Sequence, residues 1–221
     1  YGNGIWAPAI RYHEGRFYIF VNVNDHGLQV FTAERPEGPW THKNMGGRIY
    51  DLGVLFDDDG KIYAVHGYDE VHLIEIKADF SGYVEGSDRV IIPKGNAMGE
   101  GHHFYKINGK YYIISADYSP VGRMQCARAD RPEGPYETTV ISHRETMGVQ
   151  QGWWTKGYGF WSDIPDEGDK MEFQSPSENY FSAVPLHQGG IVDLPNGDWW
   201  GFSMMDMKSV GRLTSLSPVT W

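Results

Sequence analysis

Four glycine-centred hairpin signatures and an eight-residue segment that occurs twice predict an all-β chain built as a β-propeller, with about four blades visible. In each signature a Gly is followed by a polar residue, two positions rich in aromatics and a short apolar run. They are Gly15-Arg16-Phe17-Tyr18, Gly60-Lys61-Ile62-Tyr63, Gly109-Lys110-Tyr111-Tyr112 and Gly197-Asp198-Trp199-Trp200. Turn formers precede each one (His13-Glu14, Asp57-Asp58-Asp59, Ile107-Asn108, Pro195-Asn196), with another apolar stretch before them, which is the pattern of two strands joined by a tight turn. The glycines are spaced 45, 49 and 88 residues apart, the last close to twice the others, and a period of this size suits a blade of four strands.

The second observation is an octet. Ala33-Glu34-Arg35-Pro36-Glu37-Gly38-Pro39-Trp40 returns as Ala129-Asp130-Arg131-Pro132-Glu133-Gly134-Pro135-Tyr136, 96 residues later, an offset of two blade periods. A β-sandwich accommodates similar hairpins but gives no reason for such a return. Long amphipathic helical patterns are absent, and 12 Pro and 28 Gly interrupt the chain too often for helices of ordinary length. The segment from about residue 137 to residue 186 breaks the period and is crowded with Trp153, Trp154, Phe160 and Trp161. It reads as blade strands carrying a long insertion within a single domain spanning 1–221.

The composition narrows the function. With 221 residues, 40% hydrophobic and 14% aromatic, the chain has enough apolar matter for a sizeable core. A formal charge of -10 repels phosphate backbones and anionic membranes, so neither nucleic acid nor a membrane is an expected partner. Eight Trp and fourteen Tyr suit a neutral carbohydrate, offering flat faces to sugar rings and polar edges to hydroxyls. Cys126 is the sole cysteine, so no intrachain disulfide forms, and it reads as a buried small hydrophobe. No apolar run is long enough to span a bilayer, and no signal-peptide pattern is present. The compartment stays open between secreted, periplasmic and cytoplasmic. The chain opens on Tyr1 rather than Met, and the expectation is that a leader or more lies upstream.

In a propeller the innermost strand of each blade lines a central channel, so equivalent positions on different blades converge. Nine residues ahead of the repeat glycines stand Trp6, Asp51 and Glu100; in the fourth repeat the position falls on Gln188, beside His187. An aromatic, two carboxylates and a histidine form a set suited to chemistry. Glycosidic hydrolysis uses one carboxylic acid to protonate the leaving oxygen and, in the inverting variant, a carboxylate across the ring to activate water. Another carboxylate nearby raises the acid's pKa by like-charge repulsion.

The segments Gly4-Ile5-Trp6-Ala7-Pro8, Tyr50-Asp51-Leu52-Gly53 through Gly60, Glu100-Gly101-His102-His103-Phe104-Tyr105-Lys106, His187-Gln188-Gly189-Gly190, Gly211-Arg212 and Pro218-Val219-Thr220-Trp221 resemble glycoside hydrolase family 43. That family comprises five-bladed β-propeller β-xylosidases, α-L-arabinofuranosidases and endo-arabinanases. The resemblance implies inverting hydrolysis of xylan- or arabinan-type substrates, with Glu100 as general acid and Asp51 tuning and orienting it. Trp6 would wall the sugar subsite and Arg212 would bind sugar hydroxyls. His187 would stand near the axis, where the family holds an ion or ordered water. No cofactor is then required, with a structural Ca2+ near the axis as an option. The family's general base is an Asp upstream of the Trp-Ala-Pro segment, whereas this chain begins five residues before Trp6. The resemblance therefore implies that about one blade and its base lie upstream, and that a C-terminal β-sandwich can follow. Asp25 offers an alternative base but reads as a loop residue. The competing reading is a non-catalytic carbohydrate-binding propeller, or a fragment inactive without its base.

Other clusters read as structural. Asp57-Asp58-Asp59 before Gly60 fits a solvated hairpin turn. Nine His include no His-Glu-x-x-His or Cys-rich spacing, and His102 and His103, adjacent on a strand, face opposite sides, so no metal site is assigned. The Trp153, Trp154 and Trp161 group either lines the rim or packs beneath the insertion.

Overall fold

The computed structural model describes residues 4–96, 98–117, 123–143, 186–206 and 212–219, and every regular element among them is a strand. The first sheet consists of β1 (Ala9–His13), β2 (Arg16–Val23), β3 (Gly27–Ala33) and β4 (Thr41–Gly46). The second holds β5 (Gly53–Phe56), β6 (Ile62–His66), β7 (Val71–Ile76) and β8 (Arg89–Ile92). The third holds β9 (Glu100–Ile107), β10 (Lys110–Asp117), β11 (Arg123–Ala129) and β12 (Glu137–His143), and the fourth β13 (Leu186–Asp193), β14 (Trp199–Asp206) and β15 (Arg212–Val219). In every sheet sequence neighbours are sheet neighbours, so each is a meander and a blade of a β-propeller, with four blades among the described residues.

Each predicted hairpin joins the first two strands of a blade. The β1–β2 turn is two residues long, with Glu14 at φ 46° and Gly15 at φ 78°, a pairing whose twist matches that of the strands. The two copies of the octet build the same corner, from β3 to β4 and from β11 to β12. Gly38 N–H donates to Arg35 O at 2.9 Å and Gly134 N–H to Arg131 O at 3.0 Å. Trp40 Nε1 then reaches Pro36 O, and Tyr136 OH reaches Pro132 O. Both glycines sit at φ 89°, and a Cβ on either would stand about 3 Å from the following aromatic ring, which is why glycine recurs there.

Successive residues of a strand face opposite ways, and blade two uses both faces. Val54, Ala64 and Ile74 pack toward Phe20, Leu28 and Val30 of blade one. Their neighbours Leu55, Val65 and Leu73 pack with Phe104, Tyr111 and Ile113 of blade three. A sheet covered on both sides needs apolar residues at consecutive positions, which explains the apolar run Ile62-Tyr63-Ala64-Val65 in β6 and the adjacent buried pair Leu73-Ile74 in β7. Each large side chain so buried contributes roughly 1.5–3 kcal/mol of transfer free energy.

The chain divides into two compact units, residues 1–114 with 127–138 and residues 115–126 with 139–221. The first contains Trp6, Asp51 and Glu100; the second contains His187 and Arg212. Of the segment expected to break the repeat, residues 137–143 form β12 and residues 144–185, with Trp153, Trp154 and Trp161, lie outside the described residues.

Two expectations need correction. Asp57 is buried at 5% exposure rather than solvated, because Lys106 Nζ (2.5 Å) and the Tyr111 hydroxyl (2.6 Å) reach into the turn and donate to its carboxylate. Asp58 and Asp59 are exposed as expected. Cys126 is half-buried rather than buried; its neighbours Gln125 and Ala127 take the interior positions.

Candidate active site

Three lead-in segments bring the candidate residues together. Trp6 precedes β1, Asp51 precedes β5, and Glu100 opens β9, so two of the three lie ahead of the paired strands rather than on them. Trp6 is held by its N–H donating to Asn22 O at 2.9 Å and by its indole Nε1 donating to Asn24 Oδ1 at 2.7 Å. Its ring meets Tyr50 edge to face, centroids 5.8 Å apart, and the Arg48 guanidinium stacks on it at 4.1 Å. Trp6 remains 36% exposed, so it is not core.

Asp51 ties the second blade to the third. Its backbone is left-handed at φ 47°, a conformation that Asp tolerates better than most residues. There its Oδ2 accepts from Gly101 N–H at 3.1 Å and its carbonyl accepts from His102 N–H at 3.2 Å. Tyr50, one residue earlier, donates its hydroxyl to Glu100 Oε2 at 2.6 Å. Adjacent residues of one lead-in thus grip adjacent residues of the next blade. Close approach is possible because Gly53 has no side chain: a Cβ there would stand 2.6 Å from His102 O and 2.9 Å from His103 Cα.

The electrostatics of the pair are unequal. Burial, then the charge of Glu100, pushes the Asp51 carboxyl up to about 6, against the opposing pull of the Gly101 N–H. Burial, and next the hydrogen bond to Glu100, also drives the Tyr50 phenol up, so it stays a donor. Behind the pair, burial lowers His102 to about 4 while its Nε2 bonds Gly67 O at 3.0 Å. His103 is brought down to about 3 by burial and by the Arg11 and His102 charges. Both imidazoles are neutral near pH 7 and supply no counter-charge. Arg11 of β1 reaches across, its Nε donating to Val54 O at 2.5 Å and its Nη2 to Phe104 O at 3.3 Å, so one guanidinium spans the inner strands of three blades.

Sequence counting found Trp6, Asp51 and Glu100, and the structure brings these three into one neighbourhood. It missed Tyr50, Arg11, Arg48 and Asn24; Tyr50 alone had a signal, as the residue before Asp51 in the quoted motif. Asp25 sits at the β2–β3 turn with φ 64°. His187 lies in β13 and Arg212 begins β15, but their side chains lie outside the described residues.

Paired carboxylates with a tyrosine donor, beside a partly exposed indole, are a residue set capable of acid–base chemistry. Comparison with known proteins gives the family. Residues 1–221 match glycosyl hydrolases family 43, and the chain belongs to that family. It is 30% identical over 233 residues to a non-reducing end alpha-L-arabinofuranosidase of Bacteroides ovatus, covering 99% of this chain and 39% of that protein. It is 24% identical over 247 residues to a beta-xylosidase of Formosa agariphila, covering 100% and 38%. Among solved structures, a bifunctional GH43-CE protein of Bacteroides eggerthii superposes with a TM-score of 0.75 at 31% identity, covering 100% of this chain and 25% of that one. The chain therefore spans well under half the length of the curated relatives it matches end to end.

Proposed function

We propose that this chain forms the acid-bearing part of an inverting glycoside hydrolase that releases xylose or L-arabinose units from xylan- or arabinan-type glycans. The observation that carries the reading is the Tyr50–Asp51 grip on Glu100–Gly101, which holds two carboxylates from separate blades within each other's field. Glu100 donates its proton to the leaving glycosidic oxygen as that bond breaks. Asp51 holds the backbone of residues 101–102, which aims the acid. Trp6 offers the indole face not taken by Arg48 to the sugar ring. His187 and Arg212 keep their proposed roles, near the axis and on sugar hydroxyls, and a structural Ca2+ beside His187 belongs to the same proposal. The water-activating carboxylate comes from sequence outside this chain; its relatives' greater length supports such a segment.

The test is hydrolysis of nitrophenyl β-xyloside and α-L-arabinofuranoside by the chain alone and with an upstream segment containing an Asp motif restored. Turnover only in the longer form, lost on xylo-oligosaccharides with Glu100→Ala, supports the proposal. Full activity of that variant rejects the assignment of the acid, and saturable sugar binding without turnover in either form establishes the non-catalytic reading instead.

A further inference from the structure

Away from the carboxylate pair, blade two carries a cluster that the hydrolytic reading leaves unused. His66 at the end of β6 and His72 on β7 are cross-strand partners, and their rings stack at 5.2 Å. Asp88, immediately before β8, turns its carboxylate toward both: Oδ1 lies 3.4 Å from His66 Nε2 and 3.1 Å from His72 Nδ1. One ligand atom from each of the three residues falls within 4.8 Å of the others.

The hydrogen bonding of this cluster does not close by itself. His66 Nε2 is buried and has no hydrogen-bond partner, although Asp88 is near. His72 stands between two carboxylates, with Nε2 3.2 Å from Glu70 Oε1 and Nδ1 3.1 Å from Asp88 Oδ1. A neutral imidazole has one N–H and donates to only one of them. With that proton directed to Glu70, a lone pair of His72, a lone pair of His66 and a carboxylate oxygen of Asp88 converge on one spot. A cation satisfies all three at once.

The dimensions suit a particular kind. A tetrahedral zinc site with bonds of about 2.0–2.1 Å has ligand-to-ligand edges of roughly 3.3–3.4 Å, beside which the two measured edges are close. Two imidazoles and one carboxylate select late first-row ions over Ca2+ or Mg2+, which take oxygen-only shells. Glu70 behind His72 supplies the carboxylate–histidine relay that fixes the tautomer of a metal-bound imidazole. The exposed side of Asp88 leaves a fourth position for water.

We infer that His66, His72 and Asp88 form a binding site for a zinc-type divalent ion, oriented by Glu70, which clamps β6, β7 and the start of β8. The clamp closes one residue before Gly67. That peptide donates its N–H to Tyr50 O at 2.9 Å and accepts from His102 Nε2 at 3.0 Å. The ion thus steadies the backbone behind the Tyr50–Asp51 lead-in without touching substrate.

Untagged, chelator-stripped protein titrated calorimetrically with Zn2+, and by absorption with Co2+, provides the test. The expected result is one saturable equivalent, tetrahedral Co2+ bands in the visible, and a thermal midpoint that rises with Zn2+. Asp88→Asn and His72→Gln should each weaken binding by about a hundredfold or more, and Glu70→Gln by about ten- to a hundredfold. An Asp79→Asn change in an exposed turn should leave binding unaltered. Absence of saturable uptake by the unsubstituted protein, octahedral Co2+ bands, or binding indifferent to Asp88→Asn would each overturn the inference, the first leaving a proton on His72 as the means by which the cluster is satisfied.

Discussion

Asp51 and Asp57 stand at the two ends of the same short strand, β5, and their surroundings drive them in opposite directions. Asp51 is partly buried beside another carboxylate and receives one backbone N–H, so burial and like charge prevail and its carboxyl rises to about 6. Asp57 is more deeply buried, and burial alone would raise it. The Lys106 ammonium, the Tyr111 hydroxyl and the Asp58 N–H together outweigh that and hold it below the usual range. Two aspartates six positions apart thus do different work: one is kept poised to change protonation, the other is locked as an anion that ties the turn after β5 to blade three. Burial by itself assigns neither role; the partners do.

Breaking the anchored end should have the largest effect. Asp57→Ala leaves the Tyr111 hydroxyl without its acceptor and Lys106 with only the exposed Asp58 carboxylate at 3.0 Å, with an expected loss of roughly 3 kcal/mol of stability. Chemical denaturation of the variant beside the unsubstituted protein measures it, and a loss below about 1 kcal/mol would mean that the Lys106 pair is no more than a surface contact. Gly53→Ala tests the middle of the same strand. With its Cβ against His102 O, blades two and three must part, and a fall of at least about 2 kcal/mol is expected.

The poised end should respond with the opposite sign. Asp51→Asn removes a carboxylate that is costly to ionise, so at pH 7 the variant should be more stable, by about 1–2 kcal/mol once solvent screening is allowed for. In the active protein the same change should lower kcat and move the acidic limb of the pH–rate profile. A more stable variant with an unchanged profile would separate the two roles and remove Asp51 from the tuning of Glu100.

The pH dependence of stability sharpens the contrast. Because folding raises the Asp51 pKa, the folded state holds that proton more tightly, and this residue's contribution falls as pH rises from about 4 to about 6 and is flat above. Asp57 is depressed, so its contribution is present above about pH 4 and is lost as pH falls below that. Denaturation midpoints of the unsubstituted protein and the two variants between pH 3 and pH 8 should diverge in those separate windows. The smallest effect is expected from Tyr50→Phe, which deletes the hydroxyl on Glu100 Oε2. A stability change of about 1 kcal/mol and a fall in kcat with little change in KM would mark Tyr50 as a positioning residue.

Local structure was legible because its causes are local. Turn glycines, alternating apolar residues and the repeated octet are written within eight or ten consecutive positions, and they identified the hairpins, the blades and the positions of Trp6, Asp51 and Glu100. What lay beyond reach depends on partners 43 to 93 positions away, for which no short pattern exists. The Arg11 fork meets Val54 and Phe104, Asp57 meets Lys106 and Tyr111, Gly53 meets His102, and Tyr50 meets Glu100. The sequence alone determined which residues arrive at the edge of each blade. Only the packing of one blade on the next decided whether a carboxylate arriving there meets an ammonium or another carboxylate, and so whether it is held as an anion or pushed toward its neutral form, because charge interactions depend on distance through space rather than along the chain.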